Sequence, residues 1–188
     1  VTVEASFVEG EEPGHDCPSE DYDDLSTSAW YHSAVDYVLS EGMMSGVSAY
    51  EFAPEDTLSR AMLVQILWAM EGKPQVNYLM QYDDVSESAW YAEAVRWGVS
   101  EGIVSGYSES TFGPEDPVTR EQLATFLYRY AQDQGYDTSA RADLSGYSDA
   151  GLVSSYATEA LSWANATGLI TGTTGTTLSP QGSATRAQ

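Results

Sequence analysis

The sequence predicts an all-α chain of three tandem helix-turn-helix repeats. Three observations carry that expectation. Residues 22–60 and 82–120 align without a gap at a constant offset of 60 and agree at more than half their positions. A weaker third copy begins at Tyr147 and matches the second at an offset of 66 from Tyr156 onward. Within each copy the apolar residues recur at helical spacing. A two-helix unit of this size cannot bury its apolar face alone, so the copies must pack on one another.

The elements follow in order. In the first copy Trp30, Ala34, Val35 and Val38 form one apolar stripe, and Gly42 stands just past it, where a left-handed residue ends a helix. A turn marked by Gly46 and Pro54 follows. A second helix begins after Leu58, with Leu63, Ile66, Leu67 and Met70 as its stripe. The second copy repeats this with Leu123, Phe126, Leu127 and Tyr130. Thr119 with Gln122 reads as a capping box, and Thr185 with Gln188 repeats that signature, so the third copy is expected to stop at the first turn of a sixth helix. The boundaries read as 21–80, 81–145 and a truncated 146–188. Residues 1–20 differ: Val1, Val3, Ala5 and Phe7 alternate with polar residues, as in the last strand of a preceding β-domain, and run into an acidic linker.

Charge narrows the function classes. The chain carries 29 acidic against 7 basic residues, a formal net charge of −22. A polyanion repels nucleic-acid phosphates and anionic lipid surfaces, so neither is an expected partner. No apolar run approaches a membrane span, and the first residues lack the features of a signal peptide, as in a fragment of a longer precursor. The single cysteine, Cys17, favours export and suggests a missing partner or a free thiol.

Three of the seven cations, Arg60, Arg120 and Arg186, occupy one repeat position, the first residue of a helix. A cation there opposes the helix dipole, so an anion is expected nearby. It is either a ligand carboxylate or phosphate, held with the free helix amides, or an internal ion pair to Asp24, Asp84 or Asp149. Trp30 and Trp90, with Tyr156 in the third copy, suit either a pyranose face or plain core packing. Trp68, Trp97 and Trp163 read as structural. Gly46, Gly106 and Gly172, the second members of the glycine pairs begun by Gly42, Gly102 and Gly168, either admit a ligand close to the backbone or serve the turns. The acidic run Ser19–Asp24 lacks a calcium-loop spacing. His15 and His32 stand alone and Cys17 lies in the linker, so no metal, cofactor or catalytic residue is expected, and the chain reads as a non-enzyme.

These motifs together resemble the S-layer homology domain family over about residues 20–188. The motifs are aromatic-x-Asp at Tyr22–Asp24, Tyr82–Asp84 and Tyr147–Asp149; Trp-Tyr with Ala-Val; Gly-x-x-x-Gly; Phe-x-Pro; and Ser/Thr-Arg opening a helix. The resemblance implies a pseudo-threefold bundle with grooves between repeats. It also implies an anchoring role on the wall of a Gram-positive bacterium. The ligand would be secondary cell-wall polysaccharide, often ending in a pyruvate ketal on an amino sugar. Arg60, Arg120 and Arg186 would then meet its carboxylate. Asp24, Asp84 and Asp149 would orient it or hold hydroxyls, and Trp30 and Trp90 would stack on the ring. A surface-protein partner or self-assembly is the alternative. Cys17 would pair with a cysteine beyond residue 188. The chain departs from the family pattern at Met62, at Glu121 with Gln122, at Gln188, at Tyr156 for Trp and at Leu178 for Phe.

Overall fold

A computed structural model of the chain describes residues 17–188. Five α-helices make up its regular structure: α1 (His32–Ser40), α2 (Arg60–Met70), α3 (Ala92–Ser100), α4 (Arg120–Asp133) and α5 (Thr158–Ala166). Among the described residues there is no extended strand, only isolated bridges. The strand expected within residues 1–20 falls mostly outside them. The described part of that segment, Pro18–Asp21, is a 3-10 turn.

Helix ends match their sequence signals. Gly42 adopts φ 62° and donates to Leu39 O, while Met43 N donates to Val38 O, the paired bonds that close a helix on a left-handed residue. Thr119 and Gln122 form a reciprocal capping box. At Thr185 the amide donates to Gln188 Oε1, half of the same box.

The core lies where helices of neighbouring repeats meet. α2 packs on α3, and α4 on α5. Leu63, Val64 and Leu67 of α2 are buried with Ala94 and Val95 of α3, and Ala124 of α4 with Leu161 and Ala164 of α5. Tyr31, Val35 and Phe52 form a smaller cluster in the first repeat. Two sequence expectations need correction here. Trp30 precedes α1 and is 75% exposed, so it belongs to no core stripe. Its neighbour Tyr31 turns inward instead, edge-on to it at 5.4 Å. Ala34 is exposed and Met70 is 47% exposed, whereas Ala61 and Val64 are fully buried.

The repeats are joined at a pseudo-threefold axis. Leu58 N donates to Ala184 O, Val118 N to Leu58 O and Ala184 N to Val118 O, at 2.8–2.9 Å. Each copy donates to one neighbour and accepts from the other, closing a ring. All three residues are buried, so these groups have no water to turn to.

The long turn of each repeat is held by its aromatic-x-Asp motif. Asp24 accepts from Phe52 N and Ala53 N, Asp84 from Phe112 N and Gly113 N, and Asp149 from Leu178 N and Ser179 N, all at 2.6–2.8 Å. The second donor amide belongs each time to a residue at positive φ: Ala53 at 59°, Gly113 at 73° and Ser179 at 55°. The carboxylate thus fixes a backbone conformation that alanine and serine resist.

The bonds from Leu178 and Ser179 hold the Asp149 carboxyl below its ordinary range. Its contribution is therefore complete above the unfolded value, about pH 4, and is lost as pH falls through the lower folded value. Urea unfolding of wild type and Asp149→Asn should show a constant stability gap between pH 5 and 7 that closes below about pH 4. A gap that persists at lower pH removes this role.

Candidate functional site

Arg60 opens α2, Arg120 opens α4 and Arg186 stands at the same position in a turn, and each reaches into the next repeat. Arg60 Nε donates to Phe112 O at 3.0 Å and Nη2 to Ser105 O at 2.7 Å. Arg120 donates from Nε to Leu178 O at 3.0 Å and from Nη2 to Thr171 O. Arg186 donates to Phe52 O and Ser45 O, both at 2.8 Å. The three residues are 2–8% exposed. Burial lowers each guanidinium's pKa, yet arginine remains a cation.

This corrects the ion-pair reading, and it corrects the free amides that the ligand reading supplied alongside the arginine. No ion pair joins these arginines to Asp24, Asp84 or Asp149 among the described residues. The first helix amides are not free either. Arg60 N and Ala61 N donate to Asp116 O and Pro114 O, Arg120 N and Glu121 N to Gly182 O and Pro180 O, and Arg186 N and Ala187 N to Asp56 O and Pro54 O. Backbone carbonyls of the neighbouring turn supply the negative end of the dipole that a cation at this position requires.

Two grooves open where these arginines surface. The first, of about 510 Å³, has Arg186, the turn Gly42–Val47, Met62, Gln65 and Ile66 of α2, and Trp90 from the second repeat. The second, of about 410 Å³, has Arg60, the turn Ser105–Tyr107, Gln122, Thr125, Phe126 and Arg129 of α4, and Tyr156 from the third repeat. The two are related position by position, so each groove draws on all three repeats. In both, the aromatic from the neighbouring repeat stands out into solvent, Trp90 at 58% and Tyr156 at 55% exposed. That exposure decides against core packing for these rings.

The sequence-predicted residues therefore divide. Arg186, Gly46 and Trp90 meet in one groove, and Arg60, Gly106 and Tyr156 in the other. Arg120, Gly172 and Trp30 line neither. Asp24, Asp84 and Asp149 serve the turns. The three glycines are required by packing. A Cβ at Gly46 would lie 2.3 Å from the Tyr22 ring, and one at Gly106 2.5 Å from Tyr82 and from Thr111 O.

The grooves differ in character. The first is lined by thioethers from Met43, Met44 and Met62. The second carries two cations, Arg60 and Arg129, and two phenols. The Arg60 guanidinium lies over the Tyr107 ring at 4.5 Å and the Phe112 ring at 4.7 Å. Two departures from the family pattern explain one another here. Glu121, where the first copy has Ala61, is 2% exposed and accepts from Ser154 N, Ser154 Oγ, Gln181 Nε2 and the Tyr156 hydroxyl at 2.8–3.0 Å. Tyrosine in place of tryptophan supplies that hydroxyl. Burial first, and then Glu121, push the phenol up to about 12.

Sequence reasoning missed Tyr107, Arg129 and the methionines. The signal for Arg129 was available: Gln122, Thr125, Phe126 and Arg129 follow i, i+3, i+4, i+7 on one face of α4. It also missed that Cys17 contacts His32 and Asp36, which corrects the view of an isolated histidine and a linker thiol. Cys17 is a free thiol among the described residues.

Comparison with known proteins agrees with this architecture. The family model described as S-layer homology domain matches residues 21–61, 81–124 and 146–188. The surface-layer 125 kDa protein of Lysinibacillus sphaericus is 30% identical over 85% of this chain and 13% of its own length. A cellulosome-anchoring protein of Acetivibrio thermocellus is 27% identical over 73% of this chain and 31% of its own. An amylopullulanase of Thermoanaerobacterium thermosulfurigenes is 23% identical over 85% and 8%. The chain thus spans less than a third of the length of each of these relatives.

The buried arginines test the site's structural half. Arg120→Lys keeps the charge but cannot serve both Leu178 O and Thr171 O in one plane. It should lower the unfolding free energy by about 2 kcal/mol in urea titration, the cost of leaving a buried acceptor unmatched. An unchanged midpoint would show that this guanidinium does not hold the repeats together.

Proposed function

The chain belongs to the S-layer homology domain family, and on that premise we propose that it is a non-catalytic module anchoring a surface protein to cell-wall polysaccharide. Its place is the cell surface or cell wall. No helix among the described residues is long and apolar enough to cross a membrane.

One observation carries the reading. In each groove a buried arginine at the floor faces a solvent-exposed aromatic contributed by another repeat. An aromatic ring packs on the apolar face of a pyranose, and a guanidinium with two nitrogens already fixed presents the third to an acidic substituent. Nε and Nη2 of Arg60 are bonded to carbonyls, and Nη1 is outside those bonds. The groove floored by Arg60 is the better match for an anionic sugar, since Arg129 adds a second cation. The carboxylates of the turns have both oxygens on backbone amides, so they act on the ligand only through the turn they hold.

Against a net charge of −22, an anionic polymer feels long-range repulsion and is held by local contacts. Rising salt screens the repulsion as well as the attraction.

The experiment is co-sedimentation with native bacterial walls and with walls stripped of secondary polymers. Arginine variants confuse folding with binding, so the rim is altered: Trp90→Ala in one groove, and Tyr107→Ala with Arg129→Ala in the other. The protein should pellet with native walls alone. Combining the three substitutions should cut retention at least about tenfold with an unchanged unfolding midpoint, a loss of about 1.4 kcal/mol. Moderate salt should change wild-type retention little. Equal retention by the triple variant, or pelleting with stripped walls, overturns the groove assignment, and failure to pellet with either preparation favours a protein partner.

A further inference from the structure

Cys17, His32 and Asp36 bring three metal-ligating atoms to one point. Cys17 Sγ lies 3.2 Å from His32 Nε2 and 3.3 Å from Asp36 Oδ2, and Nε2 lies 3.1 Å from the same Oδ2. His32 and Asp36 stand one turn apart on α1, and the Pro18–Asp21 turn sets the cysteine over them. The other oxygen of Asp36 accepts from Ser19 N at 2.9 Å, which fixes the carboxylate's orientation.

A nucleophile relay does not fit this geometry. A thiol activated by an imidazole needs the thiol on one ring nitrogen and the orienting carboxylate on the other. Here a single nitrogen, Nε2, faces both. Nor is the trio part of the repeat's framework. The second copy has Ala92 and Arg96 at the two helix positions, and the third has Thr158 and Ser162. Those helices form without it.

We propose that Cys17, His32 and Asp36 bind a zinc-like divalent cation, with Ser19 as the outer partner of the carboxylate and solvent at the fourth position. Around tetrahedral zinc with ordinary bond lengths, such S, N and O ligands sit about 3.3–3.6 Å apart, so the observed triangle need open by only a few tenths of an ångström. A thiolate with an imidazole selects zinc or cobalt over calcium or magnesium. The His32 and Asp36 side chains are 22% and 20% exposed, which leaves a path for the ion. Binding converts the Cys17 thiol to thiolate and releases one proton to the buffer, while the imidazole binds neutral. The ion would staple the start of the described chain to α1.

The test uses the full chain, untagged and kept reduced with a phosphine, titrated with Co²⁺. The expected result is one equivalent bound, with a thiolate-to-cobalt charge-transfer band that Zn²⁺ displaces. Cys17→Ser and His32→Ala should each abolish the band, and Asp36→Asn should weaken binding by at least about tenfold. His32→Ala installs the residue the second repeat already has, so its metal-free melting point should match wild type. Zn²⁺ should raise the melting point of wild type and not that of His32→Ala. The site is overturned if no charge-transfer band forms or if the band persists in His32→Ala. It is also overturned if Zn²⁺ stabilises His32→Ala equally, the sign of diffuse binding to an acidic surface.

Discussion

Everything in this fold depends on backbone groups that only a neighbouring repeat can satisfy. The ring of bonds through Leu58, Val118 and Ala184 is the clearest case, because each amide and each carbonyl is spent on a different copy. The first amides of α2, of α4 and of the turn at Arg186 extend the same exchange outward to the turn carbonyls of the next repeat. Unmatched buried backbone groups are costly, so a single repeat lacks partners that it cannot supply to itself. Apolar contact between α2 and α3, or α4 and α5, adds cohesion but not this directionality. The repeated arginine, first in α2 and α4 and in the turn at Arg186, closes each junction. Its fork spans two carbonyls of the opposing turn, which a lysine's point charge cannot do.

Placing the junctions this way also places the grooves. The guanidinium must reach the next repeat, so its outer edge emerges where two repeats meet, and the aromatic of a third swings over that seam. On the proposed reading, structural and recognition roles therefore fall on one residue. Variation among the copies then tunes the walls without disturbing the floor. Thioethers line one groove, and cations with phenols line the other. The pairing of Glu121 with Tyr156 follows the same logic. A buried carboxylate in α4 is tolerable because the third repeat returns four hydrogen-bond donors to it.

Much of this was legible in the sequence, and the failures have physical causes. The repeat, the helix-ending Gly42, the capping box at Thr119 and the arginine at each helix start are encoded by side-chain identity, so a reader can find them. What satisfies the arginine is not encoded in that way. Its acceptors are carbonyls of Ser105, Phe112, Thr171 and Leu178, and a carbonyl is present at every residue whatever its name. The search for an anion thus looked to acidic side chains that were already occupied with turn amides. Trp30 was misplaced for a second reason. Helical spacing was extended one turn too far, and Trp30 stands before the first residue of α1, where periodicity carries no meaning. The Cys17–His32–Asp36 cluster was hidden by chain distance, since a proline turn, not periodicity, brings the cysteine back to the helix.

Two related grooves on one rigid frame have a consequence for holding a polymer. Arg60 has committed two of its three guanidinium nitrogens to carbonyls, and Arg186 has committed all three, the last to Met62 Sδ at 3.6 Å, so under the proposed reading each groove offers a sugar only a small number of contacts and a modest affinity. A wall polysaccharide presents the same chemical unit many times along one strand or on neighbouring strands. Once one groove is filled, the second meets its unit at high local concentration, and the joint hold exceeds either alone by about 100-fold or more where the spacing permits. The negative surface works in the same direction. It slows first encounter but adds little to escape once short-range contacts form, because screening by salt limits its reach to about 8–10 Å. An anchor built so is slow to engage and slow to leave. On the same proposed reading, the unequal walls of the two grooves favour a polymer offering an apolar patch to Trp90 and the methionines and an acidic group to Arg60 and Arg129.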